Sequence, residues 1–200
     1  VSLVHLSKYK SLGLFIIAFI LVHLAGQVMP SIWSFYTIAA YGWDETLIGI
    51  SLGVVGLLVG IVQGGLIGWV VKKYGQKKVI MQGFLLWTLG MVGLAFAINE
   101  VILYIALIPY VLGGIAGPTL QGLMSNAVPD TEQGNLQGAL TSMISLTAVF
   151  GPLIYTGLFF YFSAKESPVY FPGAPFTVAA AFLIVASIIA YLAIKRMFGS

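Results

Sequence analysis

The stretch "TLIGISLGVVGLLVGIVQGGLIGWVV" occupies residues 46–71 and contains no charged side chain. A helix of roughly 20 apolar residues crosses the hydrocarbon core of a bilayer, so this run predicts a membrane-spanning helix. Further charge-free intervals of comparable length lie at 11–43, 79–99, 101–129, 133–164 and 167–194. The sequence therefore predicts an all-α integral membrane protein with six transmembrane helices.

Composition supports the membrane assignment. Of the 200 residues, 60% are hydrophobic and only 8% are charged, against about 25% charged in soluble domains. The predicted helices cover about 12–39, 46–71, 79–98, 101–127, 134–162 and 174–194. The loops between them are short, so residues 1–200 are predicted to form one membrane domain.

The distribution of Lys and Arg predicts the orientation. With six spans both termini lie on one side, which carries all cations except Lys165: Lys8, Lys10, Lys72, Lys73, Lys77, Lys78, Lys195 and Arg196. By the positive-inside rule both termini are cytoplasmic, in a multi-pass protein of the plasma (inner) membrane. The chain starts at Val1 without a signal peptide, which suggests a piece of a longer protein.

Several classes of function are disfavoured. The chain has no cysteine and two histidines, so no metal or cofactor is expected, and nucleic-acid motifs are absent. The sequence "GISLG" at 49–53 matches a hydrolase motif, but Ser51 lies within a predicted span and His23 is the only histidine in any span. We therefore expect no enzyme.

Glycines recur along the second span at positions 49, 53, 56, 60, 64 and 68. This spacing places them on one helical face, where small residues let helix backbones approach closely in lipid. The pattern predicts helix packing by Gly53, Gly56, Gly60 and Gly64. The same face could also allow one helix to slide on another.

Prolines interrupt the first helix of each predicted three-helix unit: Pro30 in the first span, and Pro109 and Pro118 in the fourth. Tandem units of three spans have opposite orientation. Matched broken helices in two inverted repeats point to a transport site near the bilayer midplane.

Uncharged polar and aromatic side chains recur at helical spacing on three spans. Unpaired burial of such groups costs about 2 to 7 kcal/mol each on the apolar-transfer scale, so they face either a water-filled cavity or a neighbouring helix. Both alternatives are open, and for His23 a hydrogen bond to a neighbouring helix is slightly favoured. The candidate substrate-binding residues are His23, Gln27, Ser31, Trp33, Gln63, Tyr110, Gln121 and Ser145.

Several motifs resemble a known family. The segment "GLIGWVVKKYGQKK" is similar to the loop motif that joins the second and third helices in each half of the major facilitator superfamily. The segments "GQVMPSIW", "GLLVGIVQGG", "GGIAGPTLQGLMS", "QGNLQG" and "FGPL" resemble successive helices of its tetracycline-efflux group of drug and proton antiporters. The resemblance covers essentially the whole chain as the C-terminal six-helix half.

The resemblance implies export of a drug-like, tetracycline-type solute by alternating access in exchange for protons. Its partners would be the small-molecule substrate, protons, membrane lipid, and an N-terminal half or a second copy. The family pattern places His23, Gln27, Gln63 and Gln121 beside the cavity. It assigns Gly68, Lys72, Lys73, Gly75 and Lys77 to a gating loop, and Gly151 and Pro152 to a glycine-proline pair.

The sequence departs from the family in its acidic residues. Lys72 stands where the loop motif of an N-terminal half usually has Asp, so we expect Asp130 or Glu132 to pair with the lysines. Every Asp and Glu lies in a loop, so the carboxylates that bind the coupled proton would be in an N-terminal half. The alternatives are a uniporter or other solute carrier of the same fold, a non-transporting membrane scaffold and, third, an intramembrane enzyme.

Overall fold

Residues 12–164 and 166–198 are described in a computed structural model. Within them, six helical spans are long and apolar enough to cross a membrane, as predicted. These are α1 (Leu12–Tyr41), α2 (Glu45–Tyr74), α3 (Gln76–Ala95), α4 (Glu100–Ser125), α5 (Asp130–Ser163) and α6 (Ala174–Phe198). The expected fold class is confirmed, with α3 lying about three residues earlier than predicted.

Capping side chains mark the beginnings of α2 and α4. The Asp44 side chain accepts a hydrogen bond of 2.8 Å from the Leu47 backbone N–H before α2, and Asn99 does the same for Ile102 at 2.9 Å before α4. Glu45 and Glu100 occupy the first turns of these helices. These side chains satisfy N–H groups and interact favourably with the helix dipole, which explains their place outside the apolar interior.

Two surface cavities mark the opposite ends of the bundle. One is lined by the end of α1, the end of α3 and the loop before α6. The other is lined by the α2–α3 loop, Leu123 of α4 and Phe198 of α6. Since α1 and α4 end at opposite cavities, the units α1–α3 and α4–α6 have opposite orientation, as an inverted repeat requires.

Glycine and alanine determine the closest helix pairing, which joins α3 and α4. A side chain on Gly90 would collide with the backbone of Tyr110, and one on Gly93 would come within 2.7 Å of the Ala106 Cβ atom. Helix α6 packs along α1 and α3 with buried alanines. These small residues allow close van der Waals contact, which drives helix association in lipid.

Helix α2 is the least enclosed of the six spans. Only 22% of the most apolar 18-residue stretch of α2 is buried, whereas 50% of the corresponding stretch of α4 is buried. No atom lies within 4 Å of a side chain built on any of its predicted packing glycines, Gly53, Gly56, Gly60 and Gly64. The expected close packing is therefore not made by the described part of this chain, because α2 lies at the edge of the bundle with its glycine face outward.

Candidate functional site

The first candidate feature is a break in α1. Helical segments Leu12–Gly26 and Val28–Tyr41 meet at Gln27. Pro30 has no N–H to donate to the carbonyl four residues earlier, so it disrupts the helix around Gly26 and not at its own position. The Gln27 N–H donates to the Leu24 carbonyl at 3.1 Å, and the Tyr155 hydroxyl donates to the same carbonyl at 3.0 Å.

Helix α5 packs closely against this break. A side chain on Gly151 would collide with the Gln27 Cβ atom, so glycine is needed for the two helices to approach. Pro152 follows, but α5 remains one continuous helix from Asp130 to Ser163. The predicted glycine-proline pair thus lies directly beside the predicted substrate residue Gln27.

The second feature is a break in α4 between Glu100–Gly113 and Ala116–Ser125. Pro109 lies inside the first segment without ending it. Pro118 has no N–H for the Gly114 carbonyl four residues earlier. The Gln63 Nε2 atom of α2 donates to that carbonyl at 3.4 Å. The side-chain amide of one helix thus bonds to a backbone group that the proline leaves without its helical partner.

Gln63 itself lies in an irregular part of α2. Residues Val62–Leu66 form a π-helical turn, closed by a hydrogen bond from the Ile67 N–H to the Val62 carbonyl. Such turns inside α-helices are frequent at functional sites. The π-helical turn of α2 and the break in α4 therefore meet at the Gln63–Gly114 contact.

A third polar contact joins α4 to α5. Gln121 Nε2 donates to Gln137 Oε1 at 2.7 Å, and Gln137 Nε2 donates to the Ser125 hydroxyl at 2.7 Å. All three side chains are partly buried. Gln121, expected to contact a solute, is thus held by an amide partner that leaves its carbonyl oxygen available to accept another hydrogen bond.

Two buried nitrogen atoms have no hydrogen-bond partner within the described residues: Nε2 of His23 and Nε1 of Trp87. The His23 ring lies 4.2 Å from the Phe19 ring. The Trp87 indole lies beside Gly26 at the α1 break and edge-on to Tyr110, with ring centres 6.3 Å apart. A buried polar nitrogen without a partner is unfavourable, so a hydrogen bond to water or to a solute group would stabilise each of these side chains.

Three other predicted residues make hydrogen bonds outside the interhelical amide contacts. Trp33 is buried and donates from Nε1 to the Ser51 hydroxyl at 2.9 Å, which links α1 to α2. The Ser31 hydroxyl donates to the Gln27 carbonyl of its own helix, and the exposed Ser145 hydroxyl donates to Thr141 at 3.0 Å. The structure does not bring Trp33 or Ser145 to the amide contacts.

The predicted gating loop is a single residue, Gly75, between α2 and α3. Its φ of 80° is readily adopted only by glycine. Lys73 Nζ lies 4.8 Å from the Trp69 ring centre, and Lys77 Nζ lies 3.7 Å from that of Phe198. Gly68, at the start of the motif, has no neighbouring atom within 4 Å of a built side chain, and Lys72 is exposed.

The predicted pairing of the lysines with Asp130 or Glu132 is not seen. Asp130 accepts a hydrogen bond of 3.1 Å from Gln133 within α5. Glu132 Oε2 is buried without a hydrogen-bond partner among the described residues. The four lysines lie in the last turn of α2 and the first turn of α3, while both carboxylates belong to the first turn of α5.

The contacts between the helices thus share one chemical character. In each contact, amides, hydroxyls or backbone carbonyls of two helices pair without a charged side chain. Groups of this kind can bind a weakly polar solute through hydrogen bonds and aromatic contact. They offer no nucleophile and base within hydrogen-bond reach of each other among these residues.

Comparison with known proteins identifies the family. The family model described as "Major Facilitator Superfamily" matches residues 13–198. The chain belongs to the major facilitator superfamily. This is a family of transporters and not a class of enzymes.

Relatives within the superfamily include drug-resistance proteins. The tetracycline resistance protein, class C, of Escherichia coli is 38% identical over 141 residues, covering 70% of this chain and 36% of that protein. The class E protein of Escherichia coli is 35% identical over 152 residues, covering 76% of this chain and 37% of that protein. The chain therefore spans well under half the length of these relatives.

A solved structure shows the same fold. The chain matches the crystal structure of a peptide transporter, POT, in complex with sulfate with a TM-score of 0.82 and 20% sequence identity. The match covers 96% of this chain and 39% of the transporter. At this identity the likeness concerns the fold alone.

Three residues of the candidate site were missed by sequence reasoning: Trp87, Gln137 and Tyr155. Gln137 lies in the "QGNLQG" segment that resembles the superfamily, and Tyr155 lies one turn after Gly151. Their positions near recognised motifs were a usable signal. Trp87 carried only the weaker signal of an aromatic residue in the middle of a span.

Proposed function

We propose that residues 1–200 form the C-terminal six-helix domain of a secondary active transporter that exports a drug-like, tetracycline-type solute. The observation that carries the proposal is that an uncharged side chain of another helix contacts each break, Tyr155 at α1 and Gln63 at α4. The names of the tetracycline resistance proteins support the choice of solute. The mechanism is non-covalent and proceeds by alternating access.

In this mechanism the broken helices bend as the domain changes conformation. Gln27, Gln63 and Gln121 contact the solute, with His23, Ser31 and Tyr110 beside them. Trp33 holds α1 to α2 through its hydrogen bond to Ser51, and Ser145 extends the polar surface of α5. The Gly75 loop with its lysines gates the cytoplasmic side.

Proton exchange is part of the proposal. Among the described residues the carboxylates lie outside the interior of the spans: at the Asp44 cap, in the first turns of α2, α4 and α5, and at Glu166. A coupled proton therefore binds in a partner, either an N-terminal half or a second copy. Both termini are cytoplasmic in a multi-pass protein of the inner membrane, because most cations lie at their end of the bundle.

The test uses inside-out vesicles from bacterial cells that express the protein containing this chain. Tetracycline should accumulate in energised vesicles, and a protonophore should abolish the accumulation. Equilibration that is unaffected by protonophore would indicate a uniporter. The absence of any solute movement, with Gln121→Leu and the unmodified protein indistinguishable, would indicate a scaffold.

A further inference from the structure

The end of the bundle that carries the α2–α3 loop contains a cavity of about 320 Å³. We name it the loop cavity. Its volume lies within the range of small-molecule sites. The described residues that line it are Tyr74, Gly75, Gln76, Lys77, Lys78, Leu123 and Phe198. Two side chains in this set are cationic and none is acidic.

The lysine positions are held by the fold. The positive φ of Gly75 turns the chain directly from α2 into α3, which places Lys77 and Lys78 at the cavity. Lys77 Nζ lies over the Phe198 ring at 3.7 Å. Because an aromatic ring attracts the ammonium without neutralising it, its charge remains available to an anion.

The surroundings increase the positive charge. Lys72 and Lys73 precede the loop, and Lys195 and Arg196 lie in the last turn of α6 just before Phe198. Asp130 and Glu132, in the first turn of α5, do not line the cavity. A phosphate-bearing anion therefore fits the loop cavity.

Its walls favour one source of that phosphate. Leu123, Tyr74 and Phe198 give the cavity an apolar side, and both Tyr74 and Phe198 are 45% exposed. The cavity lies where α2 ends, α3 begins and α6 ends, and the ends of spanning helices reach the head-group region of a bilayer. Basic pockets between helices on the cytoplasmic side suit phospholipid head groups. Free phosphate would gain nothing from the apolar wall.

We propose that the loop cavity binds the head group of an anionic phospholipid, with Lys77 and Lys78 contacting its phosphate. The inference requires the orientation given under the proposed function, but not the identity of the transported solute. The site is separate from the uncharged contacts at the helix breaks.

Native mass spectrometry of the full chain in neutral detergent tests the site with phosphatidylglycerol as the probe. In detergent there is no membrane surface potential, so binding reports the cavity itself. Lys77→Gln with Lys78→Gln should weaken binding at least about tenfold, since a hydrogen bond to a charged group contributes about 1.5 to 3 kcal/mol. The matched control is Lys72→Gln with Lys73→Gln, which removes the same charge outside the cavity and should weaken binding much less.

Three outcomes would overturn the proposal. An equal loss of phosphatidylglycerol binding in the two double variants would show that the lipid is attracted by the overall positive charge and not by the cavity. If phosphatidylcholine binds as tightly as phosphatidylglycerol, the cavity does not recognise the net charge of the lipid. Displacement of phosphatidylglycerol by millimolar inorganic phosphate would assign the cavity to a soluble anion. If the Lys77 and Lys78 variant does not fold, Phe198→Leu provides the second test, with weaker binding expected because Lys77 loses its aromatic support.

The transport experiment separates this inference from the proposed function. If the protein transports tetracycline but does not prefer phosphatidylglycerol to phosphatidylcholine, only the loop cavity proposal is wrong. Lipid selectivity without tetracycline transport would remove only the assigned solute.

Discussion

The Tyr155 hydroxyl donates a hydrogen bond of 3.0 Å to the backbone carbonyl of Leu24, 131 residues earlier in the chain. That carbonyl lies one turn before the proline-induced break of α1 and also accepts the Gln27 N–H. Helix α5 therefore holds the bend of α1 through a side chain as well as through close packing at Gly151. Movement at the break requires this contact to stretch or exchange.

Tyr155→Phe should loosen the α1 break while preserving the buried ring. An interhelical hydrogen bond in a membrane protein contributes about 0.6 kcal/mol on average, so a small loss of stability is expected. Hydrogen exchange at residues 27–31 should become faster. The control is Tyr161→Phe, at an exposed tyrosine of the same helix. Unchanged exchange in the Tyr155 variant would contradict a restraining role.

Gly151→Ala should destabilise the protein by about 1 to 3 kcal/mol, because the added methyl group overpacks the contact with Gln27. Thermal unfolding in detergent measures the effect. Gly157→Ala is the matched control on α5, since no atom lies within 4 Å of its added side chain. Equal stability of the two variants would show that close approach at Gly151 is unimportant.

Gln121→Leu and Gln137→Leu form a double-mutant cycle across α4 and α5. The 2.7 Å hydrogen bond predicts a coupling energy of about 0.6 kcal/mol and up to about 1.7 kcal/mol. If Gln121 contacts the solute, its replacement should weaken tetracycline binding more than replacement of Gln137. Additive stability effects would contradict the coupling, and equal binding losses would contradict the assignment of Gln121.

Gly56→Leu should leave the unfolding temperature of this chain unchanged, because the position faces outward from α2. In an assembly with an N-terminal half or a second copy, the same change should reduce association if the glycine face is the contact. Gly90→Ala is the comparison, since its side chain would collide with Tyr110 inside the chain. Undiminished association of the Gly56 variant would place the partner elsewhere.

The absence of native cysteine makes the orientation directly measurable. Lys73→Cys in the basic loop should react with a membrane-impermeant maleimide only in inside-out vesicles. Val169→Cys, at an exposed position at the opposite end, should react only in intact cells or right-side-out vesicles. The reverse pattern would overturn both the predicted topology and the lipid leaflet assigned to the loop cavity.

The six spans were predictable because hydrocarbon excludes charge over a fixed length, which leaves a direct signal in the sequence. The sequence also predicts which two helices are broken, but not the residue at which each break lies. Each lies three or four residues before its proline, at Gln27 and Gly114, since proline affects the carbonyl four residues earlier. Pro109 and Pro152, by contrast, lie inside helical segments that continue past them.

Which glycines pack could not be read from spacing alone. The regular stripe of α2 faces outward, while Gly83, Gly90 and Gly93 of α3 lie directly against α4. Spacing places residues on one face of a helix but does not say where the neighbouring helix lies. The same limit hid Tyr155 and Gln137, whose roles depend on the rotation of α5 relative to α1 and α4.

The π-helical turn at Val62–Leu66 adds one residue to its hydrogen-bonded ring. Each residue advances an α-helix by about 100°, so the two ends of α2 are out of phase by roughly that angle. A helical wheel drawn through the whole of α2 misassigns the direction of one end. An insertion or deletion at this turn would therefore rotate the C-terminal end of α2 about the helix axis. Lys72 and Lys73 would then point in a different direction, while Ser51 would keep its hydrogen bond to Trp33.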